Sequence, residues 1–452
     1  MKSILIAGAH KSSGKTTFAI GLVGALNAQG CNVQSFKKGP DYIDPMWLSL
    51  ASGKPCYNLD FYTMDRKTIS DFFVSKVGTT EKVVVEGNKG LFDGLDLFGS
   101  DSNAALAHLL DMPIVLVIDT TGMTRGIAPL LKGYTDFDPK LKIAGVVLNK
   151  VGGVRHENKL RRSIEHYTDI SVVGALGANP EIEIKERHLG LIPCNELSVA
   201  QKKLDKIIQV ISSGVNLEML FKTEDVPFLP SEIISKSVPK DIRIAIARDA
   251  AFGFYYPDDL EALELAGAEL IPFSTIKDKK LPDVDGLFIG GGFPEMCGAE
   301  LSSNKELRTQ INKKLNQGLP AYAECGGLMY LCRSISWRNQ SFEMAGFLPA
   351  EAIMNDKPIG RGYVRLRTTG SLPWPSVSEG TEVNAHEFHY ASLKGLPDSL
   401  NYAYEVLRGH GVDGRRDGLI LKNLVANFSH QRNIEKNCWA HNFVDFVRSA
   451  KC

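Results

Sequence analysis

Residues 3–17 read SILIAGAHKSSGKTT, in which an apolar strand runs into a turn of small residues that ends in Gly-Lys-Thr. Small residues allow backbone N–H groups to converge on phosphate oxygens, and the N-terminus of the following helix adds positive potential. The order of strand, loop and helix is the context that a phosphate loop requires. The stretch therefore predicts a parallel α/β sheet with a nucleotide phosphate site. The candidate phosphate-binding residues are Ala9, His10, Ser12, Ser13, Gly14, Lys15, Thr16 and Thr17.

Carboxylates that follow two other apolar runs are candidates for holding a metal ion beside the phosphates. Lys15 would neutralise the β and γ phosphate oxygens, and the Thr16 hydroxyl would ligate Mg²⁺. Glu86 follows a run of valines, at a strand end where an open α/β sheet presents ligand groups. Asp119 follows another apolar run in an equivalent position. Either carboxylate could instead cap a helix, and we favour Glu86 as the metal ligand.

Short apolar runs alternate with amphipathic stretches along the chain, a pattern typical of parallel sheets covered by helices on both faces. The pattern lapses in the proline-containing stretch 226–240 and restarts with the apolar run Ile242–Ala247. We therefore predict two α/β domains, residues 1–225 and 241–452, joined by a linker over 226–240.

The composition excludes several classes of protein. The 452 residues include 52 basic and 52 acidic ones, and this balance argues against holding nucleic acid or a membrane by bulk charge. With 44% hydrophobic and 23% charged residues, the chain is neither disordered nor fibrous. No apolar run approaches the length of a membrane helix, and we expect no signal peptide. The eight cysteines lack CxxC spacing, so we expect free thiols in a reducing cytoplasm.

A second motif, residues 321–329 (AYAECGGLM), places Cys325 between an apolar strand and a predicted helix. This is the strand-to-helix turn of a nucleophile elbow. The N–H of Gly326 and the helix N-terminus would stabilise an oxyanion and lower the pKa of the thiol. A second oxyanion donor would come from the loop at Gly291 and Gly292. The alternative is a buried structural cysteine, and we favour the nucleophile because of the glycines around it.

A nucleophilic thiol needs a base, which is usually a histidine. The C-terminal half offers His386, His389, His410, His430 and His441. Sequence spacing alone does not choose among them. The segment HEFH is similar to a zinc motif, but its histidines are one residue too close together, so we do not predict zinc.

The turn GPDYIDP, residues 39–45, carries Asp41 and Asp44 and directly follows Lys37 and Lys38. An aspartate in such a turn commonly accepts hydrogen bonds from nearby backbone N–H groups. The lysines are either contacts of anionic substrate groups or members of a solvated face. Composition alone favours the local, structural interpretation.

The order of these motifs resembles the cobyrinic acid a,c-diamide synthase family over nearly the whole chain. The similar segments are Ala7–Thr17, Phe36–Pro45, Asn58–Asp60, Val85–Gly94, Gly290–Glu295, Ala323–Leu328, Ala385–Tyr390 and Val425–His430. The resemblance implies an N-terminal phosphate-loop synthetase domain that binds ATP and a C-terminal class I, flavodoxin-like glutamine amidotransferase domain. It also implies amidation of the a- and c-acetate carboxylates of a tetrapyrrole, with L-glutamine as the nitrogen donor.

The resemblance further implies roles for individual residues. Cys325 attacks the glutamine amide with His430 as base, and ammonia is released. ATP phosphorylates a substrate carboxylate, and ammonia then displaces the phosphate. Asp41 and Asp44 lie beside the substrate and the phosphates, and Glu86 is a ligand of Mg²⁺. The candidate oxyanion donors are Gly291, Gly292 and Gly326, and the candidate substrate contacts are Lys37, Lys38, Tyr42 and Lys89.

The sequence departs from the family pattern in both halves. Gln431 and Arg432 follow His430, with no acidic residue two positions on as in other triad glutaminases, so the third member of the triad is open. Lys38 and the Asn88-Lys89 pair stand where the family often has apolar residues, and Met46-Trp47-Leu48 also differs. The departures in the N-terminal half, at Lys38, Asn88-Lys89 and Met46-Trp47-Leu48, make sirohaem or nickel-sirohydrochlorin an alternative substrate.

Two other classes of protein stay open. One is a different ligase, such as a cobyric acid or dethiobiotin synthetase. The other is a non-enzymatic ATPase switch, in which Cys325 would be a core residue. We expect no nucleic-acid or membrane partner, and a homodimer is left open.

Overall fold

The computed structural model describes residues 2–184, 186–187, 190–196, 199–222 and 238–451. The chain divides into two compact units, Met1–Ile233 and Ile234–Cys452. All but the last three residues of the predicted linker 226–240 lie outside the described residues, so the domain boundaries stay predictions. No helix in the described ranges is long and apolar enough to cross a membrane.

A parallel sheet forms the centre of the first unit. Its strands are β1 (Lys2–Gly8), β2 (Val33–Lys38), β3 (Tyr57–Leu59), β4 (Lys82–Gly90), β5 (Ile114–Asp119), β6 (Ile143–Val151) and β7 (Val172–Gly177). They lie in the order β3-β2-β4-β1-β5-β6-β7, and all neighbouring pairs are parallel. A separate antiparallel pair consists of β8 (Glu186–Arg187) and β9 (Gly190–Leu191).

Helices cover this sheet. They are α1 (Lys15–Ala28), α2 (Ile43–Ser52), α3 (Arg66–Val77), α4 (Asn103–Leu109), α5 (Ile127–Phe137), α6 (Val154–Tyr167), α7 (Ala200–Gly214) and α8 (Leu217–Leu220). The central strands are apolar because both faces of the sheet are covered, and Ile4, Leu5 and Ile6 are fully buried. Helix α1 packs against α7, where a Cβ at Gly21 would lie 2.3 Å from Ile211 Cγ1. The glycine therefore permits this close helix contact.

The parallel register brings candidate residues to one edge of the sheet. Glu86 in β4 is the partner of Ile6 in β1 and of Lys37 in β2. The carboxyl ends of parallel strands meet at the same edge, and the phosphate loop leaves β1 there. The fold alone thus places Glu86 and Lys37 beside the loop.

The second unit contains a larger, mixed sheet. The strands of this unit are β10 (Ile242–Ala247), β11 (Phe252–Phe254), β12 (Ala268–Phe273), β13 (Gly286–Ile289), β14 (Gly291–Gly292), β15 (Ala321–Glu324), β16 (Ser334–Trp337), β17 (Gln340–Glu343), β18 (Glu351–Met354), β19 (Gly360–Thr368), β20 (Glu382–His389), β21 (Ala391–Lys394), β22 (Asn401–Arg408), β23 (Arg416–Leu421) and β24 (Leu424–Asn427). The helices are α9 (Pro257–Leu265), α10 (Gly298–Ser303), α11 (Lys305–Asn316), α12 (Gly326–Leu331) and α13 (Trp439–Lys451).

The mixed sheet has a parallel and an antiparallel half. Strands β12-β10-β13-β15-β24 are parallel neighbours, in the order typical of flavodoxin-like folds. Strands β23, β22, β19 and β20 extend the sheet from β24 with antiparallel pairs. The predicted α/β class is confirmed for both units. The antiparallel extension is not predicted, because the sequence analysis follows only the alternation of strands and helices.

Candidate active sites

The phosphate loop is closed by its own hydrogen bonds. Ser13 Oγ donates to the His10 carbonyl oxygen at 2.7 Å and accepts from the His10 N–H at 3.2 Å. Asn149 Nδ2, near the end of β6, donates to the Ser13 carbonyl oxygen at 2.9 Å. Gly14 has φ 91°, and a Cβ there would lie 2.1 Å from Asn149 Nδ2, so only glycine fits. Asn149 was not predicted, because its only signal in the sequence is a polar side chain near a strand end.

The loop hydroxyl of Thr16 meets the acidic residues of neighbouring elements. Thr16 Oγ1 donates to Glu86 Oε1 at 2.5 Å and to Asp44 Oδ2 at 3.3 Å. Lys15 is buried beside them, and burial together with the charge of Lys37 lowers the pKa of Lys15. The structure therefore brings the predicted loop residues, the acidic turn and the predicted metal ligand into one cluster.

Lys37 lies at the centre of this cluster. Its Nζ is 2.5 Å from Asp44 Oδ2, 3.1 Å from Glu86 Oε1 and 3.8 Å from Asp41 Oδ2. Burial acts to lower the pKa of Lys37, but the charges of these carboxylates outweigh it and raise that pKa. The ammonium group is therefore a fixed positive charge that holds three carboxylates together.

The two aspartates of the turn differ in their environments. Asp41 keeps a 32% exposed side chain, whereas Asp44 is 13% exposed. Burial and the charge of Asp44 raise the pKa of Asp41 to about 7. Burial opposes ionisation of Asp44 as well, but its contacts with Lys37 prevail and lower its pKa. Asp41 Oδ1 also accepts from the N–H of Ile43 at 2.9 Å, so the turn serves local structure and the cluster at once.

The other predicted substrate contacts are spread over different environments. Lys38 is buried and donates to Asn88 Oδ1 at 3.1 Å, and burial lowers the pKa of Lys38 to about 8. Tyr42 is buried at the start of α2, and Lys89 is exposed. Asp119, the alternative candidate for the metal ligand, forms an ion pair with Lys150, in which Oδ2 lies 2.7 Å from Nζ.

The cluster fits a magnesium ion better than a closed metal site. No group of three or more His, Cys, Asp or Glu side chains within the described ranges is arranged to hold a metal. Glu86 Oε2, however, is buried without a hydrogen-bond partner among the described residues. Mg²⁺ is usually held by one or two protein ligands together with phosphates and waters. Thr16 Oγ1 and Glu86 match that arrangement.

In the second unit, Cys325 occupies a strained turn between β15 and α12. Its φ is 47° and its ψ is −101°, which a residue with a side chain rarely adopts. A Cβ at Gly327 would lie 2.1 Å from the Ile289 carbonyl oxygen, so the helix begins in close contact with β13. These features are those of a nucleophile elbow.

The predicted lowering of the thiol pKa is wrong. Burial and the charges of Glu295 and Glu324 raise the pKa of Cys325, while a hydrogen bond from Gly326 opposes this only in part. Helix α12 has only six residues, so its N-terminal potential is small. The thiol therefore needs a base to be deprotonated at neutral pH.

The predicted oxyanion donors lie in two segments that touch each other. Gly291 and Gly292 form β14, which pairs with β11. A Cβ at Gly326 would lie 2.9 Å from the Gly292 carbonyl oxygen. The neighbouring Gly290 N–H donates to Tyr255 Oη at 3.0 Å, which fixes the start of the loop. The three predicted glycines thus surround the elbow.

Of the candidate histidines, His430 lies at the elbow. A Cβ at Gly291 would lie 2.6 Å from His430 Cε1. His386 stacks on His430 with ring centroids 5.0 Å apart, and burial lowers the pKa of His386 well below its usual value. The other three lie elsewhere. His389 stacks on Phe428 at 3.9 Å, His410 is half-buried, and His441 is exposed.

A carboxylate that the sequence analysis missed contacts the candidate base. Glu324 Oε2 is 3.1 Å from His430 Nδ1. Glu324 Oε1 accepts from Tyr322 Oη at 2.8 Å and from the Gln431 N–H at 3.1 Å. The signal in the sequence is a charged residue in an otherwise apolar strand, directly before the nucleophile.

Gly291→Ala is expected to lower kcat/KM for glutamine hydrolysis by about 10²-fold or more, because the added Cβ displaces the His430 ring. Amidation with free ammonia is expected to be unchanged. Gly370→Ala is the matched control, since its Cβ would approach only the flexible end of Glu379. Parallel assays of glutamine hydrolysis check this, and equal activity of both variants would contradict the placement of His430.

Both halves of the chain match known families. Residues 4–192 match the CobQ/CobB/MinD/ParA nucleotide binding domain, and residues 243–437 match the CobB/CobQ-like glutamine amidotransferase domain. The cobyrinate a,c-diamide synthase of Magnetococcus marinus is 44% identical over 436 residues, which cover 94% of this chain and 93% of that protein. The enzyme of the same name from Methanosarcina acetivorans is 38% identical and covers 95% of this chain and 92% of its own length. With a nucleotide-binding domain, an amidotransferase domain and this similarity over nearly the full length, the chain belongs to the cobyrinate a,c-diamide synthase family.

Proposed function

We propose that this chain catalyses the ATP-dependent, glutamine-hydrolysing amidation of the a- and c-acetate carboxylates of cobyrinate. The observation that carries the proposal is the presence of two different candidate sites in one chain of this family. One is the phosphate loop, with its Thr16–Glu86 contact, and the other is the Cys325 elbow beside His430. Neither site alone would make a carboxamide from glutamine.

The second unit would release ammonia from glutamine. The Cys325 sulfur attacks the amide carbon as His430 takes the thiol proton, and backbone N–H groups of the surrounding glycines stabilise the oxyanion. The carbon–nitrogen bond then breaks, and the nitrogen leaves as ammonia after it receives the proton from His430. Water hydrolyses the remaining thioester to glutamate.

The first unit would activate the substrate carboxylate. Oxide is a poor leaving group, so transfer of the γ-phosphoryl group to the carboxylate is needed before ammonia can displace it as phosphate. Lys15 would neutralise charge on the phosphates. Mg²⁺, held by Thr16 and Glu86, would supply further charge neutralisation. Asp41 is the most exposed carboxylate of the cluster, and its pKa of about 7 suits it to take the proton from the attacking ammonia.

Several residues that depart from the family pattern, and that made another macrocycle an alternative substrate, have contacts within the first unit. Lys38 Nζ donates to Asn88 Oδ1 at 3.1 Å in a partly buried hydrogen bond. Trp47 is fully buried, and its indole donates to the Ile192 carbonyl oxygen at 3.0 Å. The side chains of Lys38 and Trp47 are therefore engaged within the unit, and exposed Lys89 is the remaining argument for additional substrate carboxylates. We therefore favour cobyrinate. The cytoplasmic location and a homodimer stay predictions.

Mass spectrometry of the amidated products tests the proposal. Purified protein receives ATP, Mg²⁺ and glutamine with cobyrinate, nickel-sirohydrochlorin or sirohaem in parallel. We expect two amide groups on cobyrinate and much slower reaction of the other macrocycles. Preferred amidation of a sirohydrochlorin-derived substrate would assign the alternative. ATP turnover without product from any macrocycle would support the switch class instead.

A further inference from the structure

The third member of the glutaminase triad cannot come from the usual sequence position. In other triad glutaminases an acidic residue stands two positions after the histidine, where this chain has Arg432. Arg432 is buried, and its Nε donates to Asp258 Oδ2 at 3.0 Å. Its guanidinium also lies over the Tyr256 ring at 4.9 Å. This residue is therefore engaged in a structural ion pair.

We propose that Glu324, the residue directly before the nucleophile, is the positioning carboxylate of the glutaminase site. The proposal rests on the proposed function for the identity of the reaction. Glu324 Oε2 lies 3.1 Å from His430 Nδ1, and both side chains are 4% exposed. A carboxylate at Nδ1 favours the tautomer with the proton on Nδ1, in which the lone pair of Nε2 can accept the proton of Cys325.

The strand pairing explains how a residue next to the nucleophile reaches the base. Strands β15 and β24 are parallel, with Glu324 opposite Asn427. The chain continues from Asn427 to His430 within a few residues, which returns the imidazole to the end of β15. Tyr322 shares the face of Glu324 in β15 because strand side chains alternate. Its hydroxyl and the Gln431 N–H bind the second oxygen of Glu324 and hold the carboxylate in place.

The charges around His430 come from several elements. On β15 and its elbow are Glu324 and Cys325, and on β20 is His386. Arg432 follows on the same segment, while Glu295 and Asp417 act on the thiol. In this setting Glu324 is the carboxylate in contact with the imidazole ring. It would stabilise the imidazolium that forms when the thiol proton moves to Nε2. That proton is then given to the departing ammonia, so the positioning residue is itself unchanged.

The removal of this charge has a distinctive effect on pH dependence. Without Glu324 the imidazolium that forms during the reaction loses the carboxylate 3.1 Å from its Nδ1, so transfer of the thiol proton becomes less favourable. The raised pKa of Cys325 also falls, because Glu324 contributes to it. The lower pKa of the thiol moves the pH profile of glutamine hydrolysis toward lower pH. A purely structural role of Glu324 would lower the stability of the protein without a selective loss of kcat that Glu324→Asp partly recovers.

The test uses Glu324→Gln and Glu324→Asp in the full-length protein. Glu387→Gln is the matched control, because Glu387 is also buried, lies 3.5 Å from a histidine, His389, and accepts two backbone N–H bonds. We expect Glu324→Gln to lower kcat for glutamine hydrolysis by about 10²- to 10⁴-fold with little change in KM. Its acid limb should move to lower pH. Glu324→Asp should recover part of kcat, and Glu387→Gln should keep the wild-type profile.

Circular dichroism and thermal unfolding of the full-length protein report whether each variant is folded. Wild-type kcat and pH profile in a folded Glu324→Gln variant would overturn the proposal, as would an equal shift in Glu387→Gln. If Glu324→Gln does not fold, Glu324→Asp decides, because a shorter carboxylate lengthens the contact with His430. A wild-type kcat there would also overturn it. Glutamine hydrolysis needs no macrocycle, so a wrong substrate in the proposed function would leave this result intact.

Discussion

Cys325→Ala is expected to abolish amidation with glutamine and to leave amidation with free ammonia intact. The substitution removes the sulfur that forms the thioester, and loss of a covalent nucleophile typically costs about 10⁴- to 10⁶-fold in rate. The synthetase site uses ammonia from any source, so its chemistry does not depend on the thiol. Product formation by mass spectrometry, with glutamine and with ammonium chloride, measures both halves in one experiment.

Cys332→Ala provides the control for this prediction. Cys332 is also fully buried, and its Sγ donates to the Leu328 carbonyl oxygen in the helix that follows the elbow. Its replacement should leave both nitrogen sources effective. If Cys325→Ala behaves in the same way, the thiol is a core residue, and its assignment as the nucleophile of the glutaminase site is wrong.

Glu86→Gln is expected to stop amidation with both nitrogen sources while glutamine hydrolysis continues. The change keeps the shape of the side chain but removes the charge that faces Thr16 and Lys37. Loss of the proposed Mg²⁺ ligand should lower kcat by about 10²- to 10³-fold. Burial raises the pKa of Glu86, which shows that its site favours an uncharged side chain. The neutral Gln of the variant should therefore fit there when no ATP or Mg²⁺ is bound. Amidation rates measured over a range of Mg²⁺ concentrations check the prediction.

Asp119→Asn is the matched variant for Glu86→Gln. Asp119 also ends a strand of the same sheet, but it pairs with Lys150 at 2.7 Å. It should therefore keep the wild-type Mg²⁺ dependence. The reverse outcome, with Glu86→Gln active and Asp119→Asn impaired, would identify Asp119 as the metal ligand.

Contiguous motifs explain why much of both sites was predictable. A phosphate loop or an elbow is a local turn, so the residues that shape it are neighbours in the sequence. Gly14 and Gly326 could be named without tertiary information for this reason. Glu86 could be predicted as a metal ligand because the C-terminal end of an apolar strand has a known place in a parallel sheet.

Other parts of the sites depend on contacts between distant segments. Lys37 could be a substrate contact or a solvated side chain until the register of β2 and β4 placed it beside Glu86. The raised pKa of Cys325 follows from burial among carboxylates, which no local turn reveals. Spacing did not choose among the five histidines and the family resemblance named His430, but only the pairing of β15 with β24 shows how the chain brings His430 to the elbow.

The sequence by itself determined the two α/β units, the phosphate loop, the thiol elbow and the family, because each is encoded by local patterns and their order. Only the tertiary structure decided which side chains share a charge cluster and which carboxylate contacts the candidate base. Electrostatic interactions depend on distance and burial, and strand pairing brings together residues, such as Glu324 and His430, that lie far apart along the chain.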